Sequence, residues 1–302
     1  NNNSAFQHLN YLNGNFIATA SSGIYTSTDS INWNVPTIPG GGFQFQSSAY
    51  GAGRYVVVGF SNILYSSDLV NWTSVAVTGN TINKVIFANS LFVAVGNSSV
   101  YTSPDGITWT VASGTGTGNV DIVYGNGLFV VVGTSGRLYT SPDGVTWTNR
   151  SVGGSDFVSV AYLNNLFIAC GQSSINSFLY TSSNGTTWTL RTVSISGNLN
   201  SPAWNGTTYV IPAETVTGGY LTSTDGSTWT ANYDGAICRF SSSVVVNGLV
   251  ILLNSSTSGA CVVVAGGPRK EVMLAGWPYQ VPIAGPLTTK IIAYNGSNQY
   301  VM

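Results

Sequence analysis

The chain repeats one unit, and this repetition limits its fold more than any other feature of the sequence. The phrase Tyr101-Thr-Ser-Pro-Asp-Gly-Ile-Thr-Trp109 recurs in six copies, whose final tryptophans lie 37 to 41 residues apart. A second, apolar phrase precedes each copy, at residues 9–20, 48–59, 85–96, 122–133, 160–171 and 202–213. A fixed period of this length is typical of arrays in which each repeat is one supersecondary unit.

Each repeat contains four short segments with the composition of β-strands. In the fourth repeat these are residues 121–124, 128–132, 137–140 and 146–149, named strands a, b, c and d below. They are rich in Val, Ile, Tyr, Phe and Thr and are separated by Gly, Asn, Ser and Asp. No segment longer than about ten residues has a 3.6-residue apolar period, so we expect almost no helix. The sequence predicts an all-β fold, a β-propeller of four-stranded antiparallel blades, because closing the array protects its strand edges.

We interpret the whole chain, residues 1–302, as one propeller domain. The repeats span approximately residues 5–39, 40–79, 80–116, 117–154, 155–196, 197–236 and 237–288, followed by a partial repeat at 289–302. In the seventh repeat, residues 249–254, 260–265 and 270–274 read as strands b, c and d, without the tryptophan-closed turn. Seven blades with the last hairpin at the ring closure are favoured, and an eighth blade completed by residues outside this chain is the alternative.

The recurring phrase resembles the Asp-box, S-x-D-x-G-x-x-W, of sialidase-like propellers, which implies a turn between strands c and d. An Asp at the start of a turn accepts hydrogen bonds from following backbone N–H groups, Gly supplies a positive φ, and Trp covers the hairpin. We therefore assign a structural role to Asp29, Trp33, Asp68, Trp72, Asp105, Trp109, Asp143, Trp147, Asn184, Trp188, Asp225 and Trp229. The second copy, with Ser67, Asp68 and Leu69, appears one residue shorter than the others.

Metal and cofactor sites are not expected. A hard cation needs six to eight oxygen ligands, and each turn offers one carboxylate. The cysteines, Cys170, Cys238 and Cys261, are odd in number and lie in or beside apolar runs without a CxxC or His-partnered spacing. This spacing predicts neither a disulfide framework nor a zinc site.

Catalysis is also not expected, although the Asp-box resemblance makes a glycosidase the enzyme class to test. Such enzymes need two facing carboxyl groups, or an arginine cluster with a tyrosine nucleophile. Outside the turns the carboxylates are Asp121, Asp156, Asp234, Glu214 and Glu271, and no arginine has the Arg-Ile-Pro context of sialidases. His8, the sole histidine, has no nucleophile motif, and we expect it to be solvated or to fill a cap. A cryptic glycosidase that uses Glu214 or Asp234 is the third-ranked hypothesis.

The charge content argues against two classes of partner. Charged residues are 6% of the chain and the net charge is -1, whereas typical soluble domains contain roughly 25% charged residues. Such a chain has no electropositive field to attract nucleic acid or anionic lipid. Its most apolar run, residues 244–253, is interrupted by Asn247 and Gly248 and falls short of the ~20 residues that span a bilayer. We therefore expect neither nucleic-acid binding nor membrane insertion.

A surface of Asn, Ser, Thr, Gly and Tyr suits glycans, because amides and hydroxyls bond to sugar hydroxyls while aromatic faces stack on sugar rings. The alternative is that low charge only reflects duplication of one repeat. Together, the two phrases and this composition resemble propeller modules of bacteriophage tail fibres and other virion appendages. That resemblance implies a non-enzymatic structural or receptor-binding module on the virion surface, present in multiple copies and contacting host glycans or other virion proteins. A secreted bacterial or fungal lectin is the second hypothesis.

Candidate ligand-binding residues lie in the loops at the strand ends opposite the c–d turns, where the connections vary most between repeats. From the b–c loops we select Arg137, Gln172, Asn176 and Glu214; from the d–a loops we select Phe43, Phe45, Arg150, Arg191, Tyr233, Asp234, Trp277 and Tyr279. Residues 266–279 depart most from the repeat, as a closing irregularity or as a partner-docking insert. The chain begins Asn-Asn-Asn-Ser, without an initiator Met, so we expect it to derive from a longer one.

Overall fold

The computed structural model describes residues 6–21, 23–39, 44–154, 156–172, 177–215, 218–233, 240–246, 249–254, 262–265, 292–295 and 298–301. These residues form an all-β structure of antiparallel sheets, with one short 3-10 turn at Thr134–Gly136. Contacts between residues group the chain into two units, residues 1–152 and 153–302. In the described part, no helix has the length and apolarity needed to cross a bilayer.

The first unit contains three sheets. The first sheet has strands β1 (Phe6–Leu12), β2 (Asn15–Ala20) and β3 (Gly23–Ser27). The second has β4 (Phe45–Gly51), β5 (Arg54–Ser66), β6 (Thr73–Ala88), β7 (Leu91–Gly96), β8 (Val100–Ser103) and β9 (Thr110–Ala112). The third has β10 (Asn119–Gly125), β11 (Leu128–Gly133), β12 (Leu138–Ser141) and β13 (Thr148–Asn149).

The described residues of the second unit form four sheets. Two of them have four strands: β14 (Asp156–Leu163), β15 (Leu166–Gln172), β16 (Ser177–Ser182) and β17 (Thr189–Arg191), then β18 (Ala203–Trp204), β19 (Tyr209–Pro212), β20 (Gly219–Ser223) and β21 (Thr230–Tyr233). The remaining sheets are β22 (Phe240–Val246), β23 (Leu249–Asn254) and β24 (Val262–Ala265), and the hairpin β25 (Ile292–Asn295) and β26 (Asn298–Val301).

The predicted strands of the fourth to sixth repeats are present, in the order a, b, c and d within each sheet. Both sheets of the first three repeats depart from this plan. In the first repeat, strand d is reduced to one bridge between Thr26 and Asn34, so the sheet has three strands. The second and third repeats share one sheet, because β5 contains strands b and c of the second repeat and β6 joins its strand d to the next strand a. The predicted segment 270–274 lies outside the described residues.

The b strands explain the apolar runs in the sequence. Val57 packs with Ile17 and Ile24 of the first repeat, whereas Val56 and Val58 pack on the other side with the third repeat. Both faces of the strand are therefore buried, which is why its sequence is a continuous apolar run instead of an alternating one. Full burial of a valine side chain contributes roughly 1.5–3 kcal/mol.

Candidate functional site

The c–d turn of the fourth repeat, residues 141–147, is closed by its own side chains. The hydroxyl of Ser141 accepts a hydrogen bond from the Gly144 N–H (2.8 Å) and donates one to Oδ1 of Asp143 (2.8 Å). That carboxylate oxygen also accepts from the N–H groups of Val145 and Thr146, both at 2.8 Å. The indole of Trp147 donates to the Gly144 carbonyl (3.1 Å). Four of these five bonds satisfy backbone groups that a sharp turn cannot pair by itself, and the fifth joins the Ser141 and Asp143 side chains.

All six copies of the turn make the same five bonds. The first runs from residue 27 to 33, and the others from 66 to 72, 103 to 109, 141 to 147, 182 to 188 and 223 to 229. In the fifth copy the amide oxygen of Asn184 accepts from Thr186 and Thr187 at 2.9 Å. An amide therefore replaces the carboxylate without loss of any bond.

The second copy is not shortened as the sequence suggested. Its first residue is Ser66, not Ser67, and Ser66 accepts from the Leu69 N–H at 2.9 Å. The turn thus has the same length as the others. Strand c has not lost a residue either, because Ser66 follows Gly59 by seven residues, as Ser103 follows Gly96. The tyrosine is displaced by one position instead, so that Tyr65 takes the ladder position that Thr102 has in the next repeat.

The turn carboxylates are held in their ionised form. Hydrogen bonds from the backbone N–H groups of Thr146 and Val145, with the Ser141 hydroxyl, lower the pKa of Asp143 to about 2. The same kind of contacts lower the pKa of Asp29, Asp68, Asp105 and Asp225. A group ionised throughout the neutral range is a poor general acid.

The turns also pack against the preceding repeat. A Cβ atom added at Gly144 would lie 2.8 Å from Cδ2 of Leu91 and 3.1 Å from Cγ2 of Val93. One added at Gly226 would lie 2.3 Å from Cδ2 of Leu166. These glycines have φ of +76° and +69°, a region that L side chains rarely adopt. Close packing and a left-handed backbone therefore select glycine at the same position.

In the first unit, one predicted ligand residue is placed wrongly by the sequence. Phe45 does not lie in a d–a loop but in β4, where it is 1% exposed and packs with Tyr55 and Leu64. It is a core residue, so its ring is closed to a ligand. Arg137 donates from its guanidinium to the Thr117 carbonyl. Arg150 is exposed, and its N–H donates to the Leu138 carbonyl (2.7 Å).

In the second unit, the d–a connection between β17 and β18 brings several predicted residues together. Gln172 pairs with Ser177, whose hydroxyl donates to the Gly197 carbonyl (2.6 Å). The Glu214 N–H donates to the Asn198 carbonyl (2.9 Å). Its carboxylate accepts from Nδ2 of Asn198 and Nδ2 of Asn200, both at 3.3 Å. We call Asn198, Asn200 and Glu214 the amide–carboxylate cluster.

The remaining predicted residues of this unit flank the same connection. Tyr233, at the end of β21, is 52% exposed, and its hydroxyl donates to the Ser194 carbonyl (3.4 Å). Arg191, predicted in a loop, ends β17, and its Nε donates to the Thr181 hydroxyl (2.8 Å). Phe43, Asn176, Asp234, Trp277 and Tyr279 lie outside the described residues.

His8 is partly buried, so of the two expected alternatives the freely solvated one is wrong. Burial, with the nearby charge of Lys84, lowers its pKa to about 4. Its Nε2 atom lies 3.5 Å from the Lys84 ammonium. The imidazole is therefore neutral at neutral pH. Cys170 is buried, and its thiol donates to the Leu199 carbonyl (3.4 Å).

Sequence reasoning missed a bulge in the a strands. In six a strands the register shifts at the same place, just before His8, Ser47, Lys84, Asp121, Ser159 and Ser242. Bulges re-aim side chains and are frequent near functional sites. The available signal was a polar residue that falls at this point in each of the six strands.

A groove of about 750 Å³ was also missed. It lies beside the reduced strand d of the first repeat and is lined by residues 34–37 and by the second c–d turn. Val35 and Val70 are 63% and 68% exposed in it. Across the described residues, no group of three or more His, Cys, Asp or Glu side chains is placed to hold a metal ion.

No protein-family model and no curated protein sequence matches the chain. Solved structures do match its fold. YCF48 bound to D1 peptide has a TM-score of 0.62 and 14% identity, over 83% of this chain and 91% of that one. The WD40 β-propeller domain of Doa1 has a TM-score of 0.60 and 11% identity, over 83% and 90%. The extracellular domain of a putative hybrid two-component system from B. thetaiotaomicron has a TM-score of 0.63 and 9% identity, over 82% and 37%.

These neighbours differ in role and agree in architecture. Identities of 9 to 14% make the likeness one of fold alone. With its four-stranded antiparallel sheets, the chain has the all-β fold of a β-propeller.

Proposed function

We propose that the chain is a non-enzymatic binding module, displayed on the outside of a virion as part of a tail fibre or other appendage, which contacts glycans of the host cell surface. Several copies in one assembly would multiply weak individual contacts. A secreted lectin would use the same chemistry without a virion.

One observation carries this proposal: at the strand ends opposite the c–d turns, two amides, a carboxylate and an exposed tyrosine surround one connection. The amide–carboxylate cluster and the exposed ring of Tyr233 flank a single connection, residues 192–202. Amides and a carboxylate bond to hydroxyl groups, and an aromatic face stacks on the C–H face of a sugar. Variable loops on a rigid β-scaffold are the usual carriers of recognition.

The carboxyl groups already accept hydrogen bonds within the protein, which supports a binding role over catalysis. The five turn aspartates already accept backbone hydrogen bonds. Glu214 is in contact with two asparagines, whereas a glycosidase needs a second carboxyl group facing the first. Asp234, the other candidate acid, lies outside the described residues.

A glycan array tests the binding role. The full chain, biotinylated and tetramerised on streptavidin, should bind a restricted set of surface glycans, and binding should disappear after periodate oxidation of the array. Binding to none of a broad panel would refute the glycan assignment. Release of reducing sugar that Glu214→Gln abolishes would establish the glycosidase instead.

Labelling of particles tests the location. Antibodies against the chain should decorate appendages of intact virions in electron micrographs. Detection only as a secreted protein in culture medium would favour the lectin alternative.

Peptide binding is the second candidate. It is favoured by the 750 Å³ groove, which exposes Val35 and Val70 beside β3, a strand without a full outer partner. An extended peptide can pair with such an edge. Among the structural neighbours, YCF48 is bound to a peptide. Selection of extended apolar peptides from a display library, with binding lost in Val70→Asp, would support this candidate.

A further inference from the structure

We infer that the amide–carboxylate cluster and Tyr233 form one subsite for an uncharged sugar ring, and that Glu214 excludes anionic sugars from it. This inference rests on the proposed glycan-binding function and specifies its ligand class.

The position of Glu214 is fixed by backbone contacts on two sides. The loop that carries it follows β19, and the bond from Ala213 N–H to the Gly219 carbonyl (3.0 Å) extends the β19–β20 ladder to its base. The Gly219 N–H donates to the Thr215 hydroxyl (2.7 Å). On the other side, the Glu214 N–H donates to Asn198. A carboxylate held on a fixed backbone loses little entropy when it binds a ligand.

The cluster retains unused bonding capacity. A carboxylate has about four acceptor sites, and the structure gives Glu214 two amide donors, each at 3.3 Å. That distance is slightly beyond the usual range of about 2.7–3.2 Å, so these bonds can yield to better donors. Glu214 and Asn198 are partly exposed. Two neighbouring sugar hydroxyls can donate to one carboxylate, and bonds to a charged acceptor are the stronger kind.

Tyr233 lies at a distance that suits stacking. It pairs with Gly219 across β20 and β21, and Gly219 in turn pairs with Ala213, next to Glu214. Two strand spacings of about 4.8 Å place the backbone of Ala213, the residue before Glu214, roughly 10 Å from that of Tyr233. Both side chains contact the same connection, Tyr233 at Ser194 and Glu214 at Asn198 and Asn200. A sugar ring that stacks on Tyr233 can therefore present its hydroxyls to Glu214.

The charge of the cluster sets the selectivity. Its ionisable member is a carboxylate, and Arg191, the basic residue at the start of the connection, bonds to Thr181. A carboxylate or sulfate on the sugar would face a like charge with no compensating contact from Glu214. Neutral hexoses satisfy the same acceptors without repulsion.

The experiment uses the full chain on an array of paired neutral and sialylated or sulfated glycans, followed by titration calorimetry with the best neutral oligosaccharide. We expect Glu214→Ala and Tyr233→Ala each to weaken neutral binding at least tenfold, or about 1.4 kcal/mol. Tyr233→Phe should stay within a few-fold of the wild type. Glu214→Gln should weaken neutral binding less than Glu214→Ala does, because it keeps one acceptor oxygen, and it should admit acidic glycans. Tyr11→Ala is the matched control, because Tyr11 is 63% exposed in the other unit.

The outcomes separate this inference from the function on which it rests. If the wild-type chain binds no glycan, the proposed function fails. If it binds neutral glycans and none of the four variants differs from Tyr11→Ala, the subsite is refuted and the function stands. A wild-type preference for acidic glycans would also refute the subsite. Should the alanine variants misfold, Glu214→Gln still decides, since it must change charge selectivity.

Discussion

The c–d turns and the connections at the opposite ends of the same strands are built on different principles. Each of the six turns makes the same five bonds, and all are made within seven residues. In the described b–c and d–a connections, bonds join separate segments and differ from repeat to repeat, as at Arg137 to Thr117 and Asn198 to Glu214. A turn whose hydrogen bonds are all internal can be duplicated without change. The connections at the opposite strand ends depend on contacts with other segments, so their sequences can diverge and acquire ligand-binding residues.

The largest expected effect tests how tightly a turn is docked on the preceding repeat. Gly144→Ala forces a Cβ atom to within 2.8 Å of Leu91 at φ +76°. Backbone strain and overpacking together should cost about 3 kcal/mol. Gly127→Ala is the control, because Gly127 has the same φ and no atom within 4 Å, and should cost about 1 kcal/mol. Urea denaturation measures both. Equal losses of unfolding free energy in the two variants would show that packing of the turn against the preceding repeat contributes nothing to stability.

The second test asks whether the turn needs a charge or only an acceptor oxygen. Asp143→Ala leaves the N–H groups of Val145 and Thr146 without their acceptor and should cost about 1–2 kcal/mol. Asp143→Asn should cost less than about 1 kcal/mol, because Asn184 holds the fifth turn in the same way. If Asp143→Asn lowered the unfolding free energy as much as Asp143→Ala, the fourth turn would depend on the charge of the carboxylate.

The third test uses pH. The pKa of Asp143 falls from 3.8 to about 2 on folding. Because the folded value is the lower one, the ionised carboxylate stabilises the fold above pH 4, and this contribution is lost between pH 4 and 2. Allowing for solvent screening, it amounts to at most about 1 kcal/mol. The stability difference between wild type and Asp143→Asn should shrink on going from pH 5 to pH 2. A difference that does not change would contradict the assigned pKa.

The smallest effect is expected where a turn lacks its glycine. Ser30 and Leu69 both have φ of +65° at that position. Ser30→Gly removes the left-handed strain, offset by a more flexible unfolded chain, so its unfolding free energy should change by less than about 1 kcal/mol. Leu69→Gly is the contrast, because Leu69 packs against Ile17 and loses that burial. Thermal melts that rank the two variants in the opposite order would disprove this account.

The sequence predicted the fold well because its signals are local. Strand composition, turn residues and the tryptophan spacing all act within one repeat. Phe45 was misplaced because it follows Gly40-Gly-Gly, which suggests a loop. Its register matches that of Ile82 and Phe157, each of which precedes a bulge. Comparison of whole repeats would have placed it in the core.

The amide–carboxylate cluster could be predicted only in part. Glu214 was selected from its loop, but its partners were not, because Asn198 and Asn200 lie 16 and 14 residues earlier in the same repeat and their contacts depend on how the two loops pack. The reduced strand d of the first repeat was missed for a similar reason: residues 35–37 contain Pro36, which cannot donate to a ladder, and no period marks the loss.

The two-sided burial of the b strands also determines how each unit comes apart. Val57 covers one neighbouring repeat, while Val56 and Val58 cover the other. Unfolding of one internal repeat would expose apolar surface of both neighbouring repeats to water, so unfolding that repeat alone has a large free-energy cost. Within such a unit, unfolding should be cooperative. Limited proteolysis should therefore give either the uncleaved chain or a chain cleaved at many sites, without a stable intermediate that has lost one internal repeat.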